Sequence, residues 1–303
     1  MIFAHFLTTL VLATAAFAVP QSLLRIPWGL SSHITRLMQL QYVKVPDTSL
    51  ASKVSHVQYS TNWAGAIWES YPTGTFNKVV GTFTVPTLNG PDGSAMAWIG
   101  IDGSTCRSAI LRTGIAFNLQ NGVASYDAWY GWFPEYSRSF GNAISINAGD
   151  IIKLAVTASS TTDGIALIEN MSNGQSVSKH LSSPSYPLCQ QNAEWIVEDF
   201  ESGGSLSSFC NFGTVNFIDA YAYTNDGQTL SPSGATELGI TSSQNGQALT
   251  SVHVDYGRVS INRGELGLFP RLLELVMSVV TNIYYGSGAI ISIIQLVQLR
   301  RIR

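Results

Sequence analysis

Charge is scarce in this chain. Only 12% of its 303 residues are Asp, Glu, Lys or Arg, which excludes a coiled coil or a disordered chain, since both need dense charge. Histidine is scarce too: His5, His33, His56, His180 and His253 are scattered without metal-ligand spacing, so no metal is expected. The sequence has no Gly-x-Ser-x-Gly elbow, no Asp-Thr-Gly or Asp-Ser-Gly, and no glycine loop to cradle phosphate. Those absences exclude serine-hydrolase, aspartic-peptidase and nucleotide chemistry and leave no organic cofactor to expect. No helical period of useful length and no internal repeat occurs. With only three cysteines, an exported chain is expected to form one disulfide and keep one thiol.

What is abundant is glycine (27) and aromatic residues, with Trp 7, Tyr 12 and Phe 13. That mixture suits β-strands and tight turns. From Ser60 to about Asn262 strand follows strand. Lys78–Val85 alternates and stops at Pro86, and Ile151–Thr157 and Ile165–Glu169 do likewise, with Gly, Asn, Asp and Ser between them. Evenly spaced strands of this kind predict an all-β sandwich or barrel in one domain. Asn170-Met-Ser172 is a glycosylation sequon beside an Asn-Gly turn signal, so Asn170 is expected in an exposed loop.

The formal net charge of -3 hides a segregation. Between Val57 and Tyr256 six basic residues face sixteen acidic ones, a formal charge of -10. An acidic body disfavours nucleic acid and anionic membranes as partners. The basic residues gather in the flanks: Arg25, Arg36, Lys44 and Lys53 before the body, Arg258 to Arg303 after it. Met1 to Ala18 is an apolar run ending in Ala16-Phe-Ala18, which reads as a secretory signal peptide, with a buried helix or an anchor as the alternative. Residues 19–56 form a basic segment without strand pattern and with one acid, Asp47. Opposite charges predict that it docks on the acidic body near neutral pH and leaves on acidification. Residues 263–303 break the pattern again: Leu275 to Leu299 holds no charge and precedes Arg300-Arg-Ile-Arg303. That tail is compatible with a membrane anchor, a packing extension or an artefact of the gene structure, and membrane contact is expected only in the first case.

The most telling stretch is Cys189-Gln-Gln-Asn-Ala-Glu-Trp-Ile-Val-Glu-Asp-Phe200, which sets acids inside an apolar strand. At period two Glu194, Ile196 and Glu198 share one face, while Trp195 and Val197 take the other. A carboxylate in mid-strand is costly to bury, so it faces water or performs a task. Together with Ala97-Trp-Ile-Gly-Ile-Asp-Gly-Ser-Thr-Cys106, Ala109-Ile-Leu-Arg-Thr-Gly114 and Tyr126-Asp-Ala-Trp-Tyr130, it resembles the fungal glutamic peptidases, the eqolisin family, over about Tyr59 to Ile261. The resemblance implies an antiparallel two-sheet β-sandwich over residues 57–262, a propeptide at 19–56, a polypeptide substrate, secretion, a monomer, and a Cys106–Cys189 disulfide that leaves Cys210 unmatched.

The resemblance also implies a catalytic dyad of glutamate and glutamine. Glu198 takes the glutamate's place, as general base and then general acid. Arg112 stands where the family has glutamine. A guanidinium only donates, whereas an amide also accepts, and beside Glu198 it is expected to lower that group's pKa. Gly131 stands where the family typically has a glutamate, and Ala116 where it often has aspartate. Trp98, Asp102, Asp127 and Trp129 fit the family's cleft lining, with aromatic faces to grip side chains and acids to bond main chain. Trp63, Trp68 and Trp132 are read as packing. The implied activity is acid endopeptidase; a silent peptide-binding homologue is the rival that Arg112 and Gly131 favour.

Overall fold

A computed structural model describes residues 57–202, 205–206, 208–242 and 245–264. Residues 1–56 and 265–303 lie outside the described residues, and so do the expectations of a signal peptide, a propeptide and a C-terminal anchor attached to them.

Among the described residues eighteen strands follow one another, with one short 3₁₀ turn at Gly141–Ala143. The first seven are β1 (Val57–Ser60), β2 (Trp63–Trp68), β3 (Phe76–Thr84), β4 (Gly93–Ile101), β5 (Ile110–Gln120), β6 (Val123–Phe133) and β7 (Arg138–Ser139). Next come β8 (Ile151–Ala158), β9 (Asp163–Asn170), β10 (Gln175–Ser182), β11 (Ala193–Glu198), β12 (Glu201–Ser202) and β13 (Ser205–Leu206). The last five are β14 (Thr214–Thr224), β15 (Thr229–Leu230), β16 (Thr236–Ile240), β17 (Thr250–Asp255) and β18 (Arg258–Arg263).

All but β12 and β13, which pair with each other, form two large sheets. The first runs β1-β16-β2-β11-β4-β5-β6-β7; the second runs β10-β9-β8-β3-β14-β18-β17, with β15 added on β14. The all-β sandwich read from the sequence is therefore the fold. One departure is the edge pair β1 and β16, which is parallel: the chain returns to that edge at β16, before β17 and β18 complete the second sheet.

Alternation along the strands makes the two layers. In the first sheet Ala64, Ala66, Ala97, Ile99, Leu111, Ile115, Trp195 and Val197 point to the second sheet and join Phe83, Ile152, Val156 and Phe217 in a continuous core. Phe83 meets Phe117 and Phe217 edge-on, at centroid distances of 6.3 and 5.4 Å. Trp195 spans the layers, and its indole N–H donates to Val80 O at 2.8 Å. The opposite face of the first sheet is also buried, and it carries a second apolar cluster of Trp63, Ile67, Met96, Trp98, Ile110, Trp129, Ile196 and Leu238. A sheet with both faces apolar needs a reason for any charge it buries, and this second face holds three.

Candidate active site

The register of four strands assembles that face. Glu198 of β11 lies opposite Met96 and Trp63, and Ile196 lies opposite Trp98. Arg112 of β5 lies between Gly100 and Gly131, and Gly114 lies between Trp98 and Trp129. Gly114 is obligatory at that point: a Cβ there would come within 2.2 Å of Ala97 O and 2.5 Å of Trp98 Cβ. Without one, the two indoles flank the Arg112 guanidinium, whose Cζ sits 5.2 Å from the Trp98 ring centroid and 5.7 Å from that of Trp129. Both distances are within cation–π reach.

Glu198 Oε2 accepts the Trp98 indole N–H at 2.9 Å and lies 3.5 Å from Arg112 Nη1. The contact is a single long one, made with Glu198 at 0% and Arg112 at 2% exposure. Sequence reasoning expected Arg112 to depress the Glu198 pKa; the net direction is the reverse. Burial pushes Glu198 up to about 7, against the downward pull of Arg112 and of the Trp98 and Trp63 indoles. A lone guanidinium contact at 3.5 Å does not replace the hydration a fully buried carboxylate gives up. Arg112 in turn is pulled below its ordinary value by burial, with Glu198 and Glu194 opposing.

Glu194 is the third buried charge. It shares the face of Ile196 and Glu198 and is wholly buried, with the Ser104 backbone N–H as a weak opposing pull. Burial first, then the nearby Asp102, raises its pKa well above the usual carboxylate range, so it is a neutral acid in acidic solution. Sequence reasoning put Glu194 on the right face but gave it no part in the site. It also gave Trp63 only a packing role, whereas Trp63 stacks edge-on against Trp98 at 4.8 Å and adjoins Glu198. The signal was available in the alternation Trp63, Gly65, Ile67, which puts Trp63 on this face; its pairing with a residue 135 positions away was not. Trp68 and Trp132 are packing residues, each with its indole donating to a backbone carbonyl, of Ser231 and Tyr186.

Asp102 sits at the end of the face, at φ 68°, and is wholly buried. Its carboxylate accepts the backbone N–H groups of Gln190, Gln191 and Asn192 at 2.8, 2.7 and 3.2 Å. Asn192 reciprocates: its Oδ1 accepts the N–H groups of Ser104, Thr105 and Cys106 at 3.0–3.3 Å. The two loops thus clasp each other beside the Cys106–Cys189 disulfide, whose Cα atoms are 6.1 Å apart, and Cys210 is free and buried. Asp102, Cys106 and Cys189 stand close enough to hold a metal ion, but the two sulfurs are spent on each other.

Asp127 and Trp129 continue the face along β6. Asp127 accepts the Ser139 hydroxyl at 2.6 Å and is pushed up to about 6 by burial. Beyond them, a Cβ on Gly131 would meet Ser137 Oγ at 2.4 Å, with Ser137 Cα and Cβ both at 3.2 Å. Ser137 therefore fills the space a larger residue at 131 would need. The sequon residue lies elsewhere, at the end of β9. Asn170 is 1% exposed, and the amide nitrogen a glycan would use donates to Ser145 O and Asp150 Oδ2 at 2.9 and 2.8 Å. Its neighbours Met171 to Asn173 are exposed; the acceptor itself is not, because its side chain ties the β9–β10 turn to the loop before β8.

A buried carboxyl that titrates near neutrality, a permanent cation and indole donors form a set able to move a proton and to hold a developing oxyanion. The sequence is 43% identical over 226 residues to aspergillopepsin-2 of Aspergillus niger, spanning 67% of this chain and 78% of that protein. It is 43% identical over 180 residues to scytalidopepsin B of Scytalidium lignicola, spanning 56% and 66%. The fold superimposes on scytalido-glutamic peptidase crystallised with a transition state analog inhibitor, at TM-score 0.61 and 38% identity over 67% of this chain and 98% of that one. Aspergilloglutamic peptidase from Aspergillus niger matches at TM-score 0.53 and 46% identity, over 56% and 99%. The profile of the Peptidase A4 family matches residues 61–263, and the chain belongs to that family of peptide hydrolases.

Proposed function

We propose that this protein is a secreted endopeptidase of the glutamic type, acting on polypeptides in acidic solution, with Glu198 as general base and then general acid. Arg112 takes the place of the family's glutamine and serves as a cationic donor to the oxyanion. The single observation carrying this reading is the Glu198–Arg112 contact inside the Trp63–Trp98–Trp129 cluster. Glu198 Oε1 has no partner and is the atom from which a water would be activated. Trp98, Asp127 and Trp129 line the peptide path, and Asp102 holds the loop that leads into β11. The working pH follows from two opposed forces on Glu198. Burial raises its pKa; Arg112 and the indoles lower it. Water entering to be activated relieves the first and leaves the second, which moves the base toward acid operation.

Arginine supplies a donor but no acceptor, so the attacking water is held by Glu198 alone and turnover is slow. Losing that acceptor is worth about two orders of magnitude in rate. A second reading, a silent peptide-binding homologue, is favoured by Arg112 and by Ser137 occupying the space beside Gly131. Digestion of casein by the purified protein in acid separates the two. Hydrolysis that disappears in Glu198→Gln, while the variant keeps its melting temperature, supports the enzyme. No hydrolysis by wild type, with none gained in Arg112→Gln, supports the silent homologue. Two further parts of the proposal concern segments outside the described residues: removal of residues 1–18 on export and of 19–56 on maturation, both checked by N-terminal sequencing of the secreted protein.

A further inference from the structure

The cluster around Arg112 holds more unpartnered polar atoms than hydrolysis uses. Arg112 Nε–H and Trp129 Nε1–H are buried donors without a partner, and the hydrolytic reading uses neither. A buried donor is costly to leave unpaired, so two of them beside one guanidinium mark a place completed by an acceptor. The donors include a permanent cation, and the guanidinium lies between two indole faces. Nη1 is the nitrogen directed at Glu198, which leaves the edge carrying Nε free for a planar two-oxygen anion, the geometry in which arginine binds carboxylates best.

Resting on the reading of this face as a peptide cleft, we propose that Arg112 and the Trp129 indole N–H bind the C-terminal carboxylate of a peptide, so that the protein captures chains that end at the dyad as well as chains that cross it. The ligand class is a peptide with a free α-carboxylate, which is also what hydrolysis at this point releases; slow turnover and retained product then share one cause.

The charges facing Arg112 make the capture selective for acidic solution. Glu198 and Glu194 face it from β11; Asp102 acts on Glu194 and Glu198 on Asp199, while Asp127 stands on β6 bonded to Ser139. Burial raises all five carboxyls. In mild acid, before water enters, Glu198 and Glu194 are neutral and the buried guanidinium lacks a counter-charge, a costly state that an incoming carboxylate relieves. A peptide α-carboxyl, with an ordinary pKa of about 3.3–3.7, is still ionised there. Above neutrality Glu198 ionises, supplies the counter-charge itself and repels the ligand.

The test is calorimetric titration of the protein with an N-acetylated tetrapeptide as the free acid and as the C-terminal amide. At about pH 5 the acid binds about tenfold tighter or more, as a charge-assisted pair should, and at about pH 8 the two agree within about threefold. Arg112→Gln binds both forms equally at the lower pH. Equal binding of acid and amide by wild type overturns the inference and leaves the hydrolytic reading to the casein assay. A preference that survives Arg112→Gln, or persists undiminished at the higher pH, overturns the assignment to this cluster. Failure of both peptides to bind overturns the inference and the peptide-cleft reading together.

Discussion

Arg112 carries a permanent charge into a site where both neighbouring glutamates are driven toward neutrality by burial. Its removal should therefore act on Glu198 in a definite direction. Arg112 lowers the Glu198 pKa, so Arg112→Gln lets that pKa rise, and the acid limb of the kcat/KM profile should move to higher pH while the rate at its plateau increases about a hundredfold. A limb that moves down, or a plateau that collapses, would show that the guanidinium is the better oxyanion donor and the amide the worse. Restoring a carboxylate at position 131 is a different matter. Gly131 stands where the family typically has a glutamate, but the first carbon of that side chain already collides with Ser137. Gly131→Glu alone is expected to destabilise by about 1–3 kcal/mol through overpacking, read as a shifted urea midpoint, and to leave hydrolysis no faster. Nothing in the residue string indicated that a residue six positions on had taken the space, because the turn after Phe133 brings it back.

Strand alternation was the most legible level. The faces of Glu194, Ile196 and Glu198 against Trp195 and Val197 follow from period two and stand in the structure as read. What alternation does not carry is register between strands far apart in sequence, which is why Trp63 was missed. Loop chemistry was less legible still. Asp102 was read as a cleft acid, yet it accepts three backbone N–H groups from the segment entering β11. That geometry makes a sharp expectation. Asp102→Asn keeps the shape but sets an amide NH₂ against at least one backbone donor, so stability should fall by about 1–3 kcal/mol in urea unfolding. Asn192→Ala, which strips three acceptances from the opposite loop, should cost a similar amount. Reducing the Cys106–Cys189 bridge in either variant should cost more than in wild type, since clasp and disulfide hold the same two loops; strictly additive losses would show that they act independently.

At the scale of the molecule, the all-β sandwich was readable from strand spacing, and the acidic body from composition. The state of that acidity was not, because charge counts assign every carboxyl its solution pKa. Burial instead raises Glu198 and Asp199 to about 7, Asp127 to about 6, and Glu194 and Asp102 in the same direction. The consequence for stability has a sign opposite to that of ordinary surface carboxylates. A group whose pKa is higher in the folded state than in the unfolded one binds its proton more tightly when folded. Its contribution is fully present below the unfolded value, about 4, and is lost as pH rises through the folded value. Each such group removes about 1.4 kcal/mol per pH unit across its own window. With several windows overlapping, the melting temperature should be highest in mild acid and fall steadily between about pH 4.5 and 7.5. Glu198→Gln, neutral at every pH, should flatten that slope by one group's share. A melting temperature that rises over the same interval would mean that these carboxyls are solvated and ionised, and that the buried face is open in solution.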